Sequence, residues 1–440
     1  MLQTLANAFK VPDLRKKMLF TAFILLLFRI GAAIPVPFTA AAGGIIADQT
    51  GSNMMNYLSM MTGDAFNYGT LFAMSITPYI NSSIIIQLLA VAIPALENLS
   101  KEGEEGKKKL AFITRIGAVL IAILQSTAYF FYLRSGGFIA TAADGSAYTG
   151  LSAVLQALVI VLVLSAGACL LQWMGESINQ KGIGNGISMI LFAGIVSRIP
   201  TTITMIFEYF KRGGIYYLFA PLALIIMIGL VVFIVWIDNS ERRLPVAYAK
   251  RVVGRKMYGG QSTHMPIKVN MSSVMPIIFA SSILSLPPTF EMFFGNRIEE
   301  GSGWDRFFNL FNTTNWFYGI IYFVLIIFFA YFYSAIQYNP IEMANNLRKN
   351  SGSIPGIRPG KPTSDYIAKV LSRITLLGAI LISVVAVLPI VFSQITMVCG
   401  KPMNISLGGT SVIILVGVAL ETVRQLESQM MMRHYKGFLD

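Results

Sequence analysis

The stretch GIGNGIS, residues 182–188, sets Gly182, Gly184 and Gly186 close together, a spacing that suggests a loop able to wrap a phosphate. Such a loop needs a strand before it and an acidic residue about twenty positions on, and neither is present here. The glycines read instead as a break that lets helix backbones approach. Metal and redox chemistry also lack their parts: the chain has two histidines, no HExxH or CxxC, and only Cys169 and Cys399, far apart. No disulfide framework, metal centre or resident cofactor is expected. No paired Asp, no Ser with His and no metal constellation falls within the apolar segments, which argues against an intramembrane enzyme. What remains is ITPYINSSIIIQLL, residues 76–89, where Thr77, Pro78, Asn81, Ser82, Ser83 and Gln87 interrupt an apolar segment.

The elements that carry these residues are membrane spans. Of 440 residues 55% are hydrophobic and 12% charged, with a net charge of +13 and a mean hydropathy of +0.65, against about 25% charged residues in an ordinary soluble domain. Ten apolar runs are long enough to cross a bilayer as helix: about 18–35, 71–96, 110–133, 151–174, 183–200, 215–237, 271–288, 316–337, 369–391 and 407–425. The polar opening before the first run carries no small-residue cleavage site, so that run is expected to stay in the mature chain. With both termini on the cytoplasmic side, all but eight of the 34 Lys and Arg fall in inner loops, tails and adjoining span ends, as the positive-inside rule demands.

Spans two, five, seven and ten are broken or short and rich in Gly, Ser, Thr and Pro, so they are expected in the interior. They also repeat. GISMILFAGI from Gly186 matches GTSVIILVGV from Gly409 without a gap, and PYINSSII from Pro78 matches PIIFASSIL from Pro276 with one insertion. The order implies two five-span halves, and since five is odd the second half enters the membrane inverted. The expected division is a first half at 1–200, an outer loop at 201–214, a second half at 215–425 and a tail at 426–440.

Small-solute transporters and pumps mark the midplane between such halves with a buried charge. The centres of spans two, five, seven and ten carry none; at matching places they offer Ile80, Ile84, Leu191, Ile278 and Ile414. Ile80 and Ile84 share a helix face. These aliphatics either pack the core or converge into a hydrophobic constriction that excludes ions by dewetting. The outer segment NMMNYLSMMTGDAFNYGT, residues 53–70, with four methionines and no Lys or Arg, reads as a re-entrant piece or a cover over the pathway, with an interfacial helix as the other option. Two inner loops exceed what joining adjacent helices requires. Residues 238–270 carry seven Lys and Arg against two acids, and 338–368 contain NNLRKNSGSIPGIRPGKPTSDY. Positive-inside bias and attraction to anionic lipid account for the charge. Their length suits docking of a large anionic partner, and GIRPG makes a turn that holds Arg358 outward.

Taken in order, RIGAAIPVP (29–37), PYINSSIIIQLL, KEGEEGKKK, GIGNGIS, YAKRVVGRKMYGGQSTHMPIKVN, FASSI (279–283), NPIEMANNLRK, PGIRPGKPT and GGTS (408–411) resemble the SecY family, the channel-forming subunits of the bacterial protein-export translocon. The resemblance spans nearly the whole chain. It implies an all-α polytopic membrane protein, a ten-helix clamshell of two inverted halves around a central pore, hinged at the outer loop 201–214, in the plasma membrane. It further implies a pore ring of Ile80, Ile84, Ile187, Leu191, Ile278 and Ile414, in which Leu191 departs from the commoner isoleucine at conserved volume. Residues about 57–70 become a plug, including Tyr57, Leu58, Met60, Met61, Thr62, Gly63, Asp64, Ala65 and Phe66. Spans two and three facing seven and eight become a lateral gate, with Ser82, Ser83, Gln87, Gln125, Ser281 and Ser282 as polar contacts across it. Arg251, Arg255, Lys256 and Arg358 become docking residues for the ribosome and the SecA motor. The implied partners also include SecE- and SecG-type small membrane subunits, signal peptides, nascent chains and anionic lipids. A small-solute secondary transporter remains the alternative.

Overall fold

The structure is a computed structural model that describes residues 8–39, 62, 65–139, 150–214, 216–248, 251–253, 256–258, 262–271, 274–294, 302–311, 315–350, 352–398 and 409–436. Ten crossings run through it. In the first half they are α1 (Pro12–Gly31), α2 (Thr77–Ala92) with α3 (Pro94–Lys101) after it, α4 (Glu104–Ser135), α5 (Leu151–Lys181), and α6 (Gly186–Ser197) continued by α7 (Ile199–Arg212). The second half opens with α8 (Tyr216–Asn239). Strands β1 (Glu241–Tyr248), β2 (Arg251–Val253), β3 (Lys256–Tyr258) and β4 (Ser262–Lys268) follow, and then the seventh crossing, α9 (Met275–Leu284) with α10 (Leu286–Phe294). After the short α11 (Gly303–Leu310) come α12 (Trp316–Gln337), α13 (Pro340–Lys349), β5 (Gly352–Ser353), α14 (Lys361–Val398) and α15 (Gly409–Lys436).

Seven of these helical runs are long and apolar enough to cross a membrane by themselves; the other three crossings are limited by their sequences. α1 carries Asp13, Arg15, Lys16 and Lys17 in its first turns and Arg29 in its last, so only its middle is uniformly apolar. α2 has 16 residues, because residues 65–76 form turns and the helix starts only at Thr77 with Pro78 in its first turn. The seventh crossing breaks at Ser285, ahead of Pro287 and Pro288, whose rings suit a helix start and not an interior. The tenth departs from the expected broken type: α15 runs 28 residues without interruption. The segment 201–214, expected as a hinge loop, is helical as far as Arg212. Pro200 sits in the first turn of α7, and the helix turns Thr202 and Ile206 inward, Ile206 packing with Ala220 of α8.

The repeat read from sequence appears as a repeat of packing. α1 lies on α5 and α6, as α8 lies on α14 and α15; α2, α4, α5 and α6 pack in succession, as do α9, α12, α14 and α15. Matching glycines set the close approaches. Gly167 abuts the carbonyl of Leu71 and Gly186 that of Gly175; in the second half Gly378 abuts the carbonyl of Val269 and Gly409 that of Val385. Only a residue without Cβ fits at these places. The stretch GIGNGIS is the break the sequence suggested: Gly184 has φ 83°, and the Asn185 side chain caps α6 by accepting from the amide of Ile187 at 3.1 Å.

Ala8 and Leu14 pack with Ile183 and with Leu426 and Met430 of α15, so the start of α1 and the later part of α15 lie on one side, as an even number of crossings requires. On that side the two long inner loops join. β1 pairs antiparallel with β4, from Glu241 opposite Lys268 to Ala247 opposite Ser262, and its far end pairs with β5. Leu244, Ile267, Met271, Ala344, Ile354, Ile367 and Leu371 form a small core beneath this sheet.

Candidate functional site

Helix α2 lies against α9, α4 against α10, and α6 against α15, so the two halves meet along helices of both. At this seam Ile80 and Ile84 of α2, Leu191 of α6, Ile278 of α9 and Ile414 of α15 are all buried within one apolar cluster, and half-buried Ile187 packs on it. These six aliphatic side chains from four helices thus belong to or pack on one extensive core, which also takes in residues of α1, α5, α8, α12 and α14. Among the described residues the buried charged side chains are Arg198 and Asp238, both at span ends. The centre therefore offers a compressible apolar contact and no charge to bind a specific solute.

The polar residues around this cluster bond within their own halves. Ser82 donates to the carbonyl of Thr114 on α4 at 2.7 Å, and Gly117 leaves room for its hydroxyl. Gln87 donates to Ser83 one turn away at 3.0 Å, Ser281 donates to the carbonyl of Ile278 at 3.0 Å, and the carbonyl of Ser282 accepts from Ser285 at 2.7 Å. None of these four bonds crosses the seam: that of Ser82 joins α2 to α4, and the others stay within one turn of their own helix. A hydroxyl one turn from a helix carbonyl needs no second helix to be satisfied. Gln125 lines a cavity between the halves with Thr62, Phe66, Thr77, Ser285 and Thr289.

Of the residues read as plug, Tyr57, Leu58, Met60, Met61, Gly63 and Asp64 lie outside the described residues. Thr62, Ala65 and Phe66 are buried. Phe66 donates its amide to Thr62 at 3.1 Å, Thr70 donates to the carbonyl of Ala65 at 3.1 Å, and Leu71 donates its amide to the carbonyl of Ile34 at 2.9 Å. The turns leading into α2 are therefore bound both to themselves and to the end of the first crossing.

Of the docking candidates, Arg251 lies on β2 and Lys256 on β3, paired strands of one hairpin, and Arg255 lies outside the described residues. Arg358 is exposed in a turn with Gly356 at φ 82° and Gly360 at φ 107°, closed by Thr363 donating to the Arg358 carbonyl at 2.8 Å. Sequence reasoning missed one further contact. Arg424 of α15 pairs with buried Asp238 at 3.1 Å, donates to the Asp238 carbonyl at 2.9 Å and to Asn239 at 2.8 Å, while Asn270 donates to Asp238 at 3.3 Å. The partners stand 186 positions apart in sequence; a lone Asp at the end of an apolar run before a basic loop was the only signal.

A family model described as SecY matches residues 70–423. The chain belongs to the SecY family. It is 43% identical over 456 residues, covering all of both chains, to the protein translocase subunit SecY of Mycobacterium bovis. A solved SecY protein, described as one whose plug domain stabilises the closed state of the translocation channel and maintains a membrane seal, shares its fold. That match has a TM-score of 0.67 and 18% identity, covering 94% of this chain and 92% of the other. Sec61 in a canine ribosome–channel complex from the endoplasmic reticulum is similar with a TM-score of 0.61 and 16% identity, over 94% and 92%. As a SecY-family member the chain is a multi-pass membrane protein with the ten-helix clamshell architecture and acts as a protein-conducting channel. Nothing found supports the small-solute transporter.

Proposed function

We propose that this SecY-family chain conducts unfolded, signal-bearing preproteins through a ring made of Ile80, Ile84, Ile187, Leu191, Ile278 and Ile414, and releases membrane helices sideways between α2/α4 and α9/α10. One observation carries this reading: five of the six side chains are buried in a single apolar cluster assembled from both halves. A deformable aliphatic ring closes around a passing chain without recognising its side chains, and it excludes ions by dewetting when empty. An apolar signal helix entering lipid gains about 0.3–0.6 kcal/mol per Leu, Ile or Phe. That gain opens the seam only to the extent that the signal prefers the open state to the closed one.

The turns at residues 65–76 hold the end of the plug over this ring. The chain sits in the bacterial plasma membrane with both termini cytoplasmic and performs no covalent chemistry; the driving energy comes from partners. SecE- and SecG-type subunits pack on its membrane surface, anionic lipids meet its basic inner side, and SecA and the ribosome dock on the inner loops through Arg251, Arg255, Lys256 and Arg358. The division into a first half at 1–200 and a second at 215–425 is part of the proposal, with the α7–α8 junction as the outer hinge.

Reconstitution with the small subunits and SecA tests this reading. ATP- and signal-dependent entry of a preprotein into a protease-protected space is expected; uptake of a small solute without preprotein import would contradict it.

A further inference from the structure

Tyr129 of α4 is 1% exposed and donates its hydroxyl to the carbonyl of Phe66 at 2.6 Å. The Phe66 ring packs against it with centroids 4.6 Å apart, and Tyr132, one turn later on the same face, stacks 6.5 Å from Phe66 and 6.2 Å from Tyr129. Helix α4 thus grips the turns that lead into α2 by one short hydrogen bond and a three-ring aromatic cluster. The same helix packs on α10 of the opposite half. Between them lies the cavity walled by Thr62, Phe66, Thr77, Gln125 and Tyr129 on one side and by Ser285 and Thr289 on the other.

We infer that Tyr129 is a positioning residue that latches residues 65–76 to α4 while the seam is closed and frees them as the seam opens. The inference rests on the channel reading above and adds to it one named contact, the Tyr129–Phe66 bond, as what holds these turns in the closed channel. The Phe66 carbonyl also accepts from the Gly69 amide at 3.3 Å inside the turn, so the Tyr129 bond is what ties it to α4, and losing it leaves a buried carbonyl one strong donor short. The polar cavity walls make the contact exchangeable. When α4 moves from α10 and the cavity widens, water or the hydroxyl and amide groups of its lining can replace the lost bond. Opening the seam and releasing the turn then become one event.

Two variants test the latch. Tyr129→Phe keeps the ring and removes the hydroxyl; vesicles carrying it, with no preprotein present, are expected to conduct ions about tenfold more than the parent, the factor that accompanies loss of one buried hydrogen bond. Export of a preprotein with a weakened signal should rise by a similar factor, while export with an intact signal should be little changed. In a chain with Cys169 and Cys399 replaced by Ser, Phe66→Cys with Tyr129→Cys is bridged by a short reducible thiol cross-linker. Bridging is expected to abolish export and reduction to restore it. Parent-like conductance of Tyr129→Phe, or undiminished export by the bridged channel, overturns the latch. Failure of the parent itself to import preproteins would instead overturn the channel reading, and the conductance comparison would still decide the latch.

Discussion

Gly186, the first residue of α6, and Gly409, the first residue of α15, occupy the same place in the two halves, each pressed against a backbone carbonyl of the preceding long helix: that of Gly175 in one case and of Val385 in the other. Both helices carry an aliphatic residue five positions on, Leu191 and Ile414, buried in the same apolar cluster. Two contacts so alike in repeated, opposite-facing segments are what an inverted repeat produces.

Replacing either glycine by alanine drives a methyl into a carbonyl that belongs to a packed helix and cannot rotate away. Gly186→Ala and Gly409→Ala should each destabilise the protein by about 1–3 kcal/mol, read as a lower melting temperature in detergent. Gly229→Ala meets nothing within 4 Å and should be neutral or stabilising by up to about 1 kcal/mol.

Ile278→Asn and Ile414→Asn put an amide without a built partner into the apolar ring. A penalty of about 1–3 kcal/mol on the closed state raises the open population roughly tenfold to a hundredfold. Ion conductance of vesicles should rise, and preproteins with weak signals should pass. Variants that conduct like the parent and keep its signal stringency would remove these residues from the ring.

Asp238 holds Arg424, and Asn270 holds Asp238, so the inner ends of α8 and α15 are tied to the segment entering α9. Asp238→Ala leaves a partly buried guanidinium without its carboxylate and should cost about 3 kcal/mol in stability. Adding Arg424→Met, which removes the orphaned charge, should recover part of that loss; a double variant no more stable than Asp238→Ala would show that the pair acts through something other than charge compensation.

Arg358→Glu reverses an exposed charge on a turn whose geometry is set by Gly356, Gly360 and Thr363. Assembly and melting temperature should stay as in the parent while SecA-driven export falls several-fold. Unchanged export would take Arg358 out of the docking surface.

Much of the architecture was legible because lipid imposes simple rules: apolar length marks the crossings, Lys and Arg mark the inner side, and Gly, Pro and Ser mark the interior helices. The five buried ring positions could be proposed because Pro78 with Pro276 and Gly186 with Gly409 align the halves in sequence. The contacts that depend on distant partners were not legible. β5 is two residues long and is a strand only because Ala247 and Tyr248 lie opposite it. Tyr129 looked like any aromatic in a long span until Phe66 lay 63 positions away beside it. For the serines, a polar side chain in an apolar run shows that a partner exists, not which one: Ser281 bonds a carbonyl one turn away, while Ser82 reaches Thr114 on the neighbouring helix. The segment 201–214 read as a loop because it follows an apolar run, whereas its own amphipathic pattern, with Thr202 and Ile206 on one face, fits a helix against Ala220 of α8.

The most direct test of the ring is photo-cross-linking from Ile80, Leu191, Ile278 and Ile414, each replaced in turn by a photoreactive residue, to a preprotein stalled midway through reconstituted channels. All four positions should cross-link to the stalled chain, while a lipid-facing site such as Trp173, exposed on α5, should not. Cross-links confined to lipid-facing sites, with the four ring positions silent, would contradict a path through the centre of the fold.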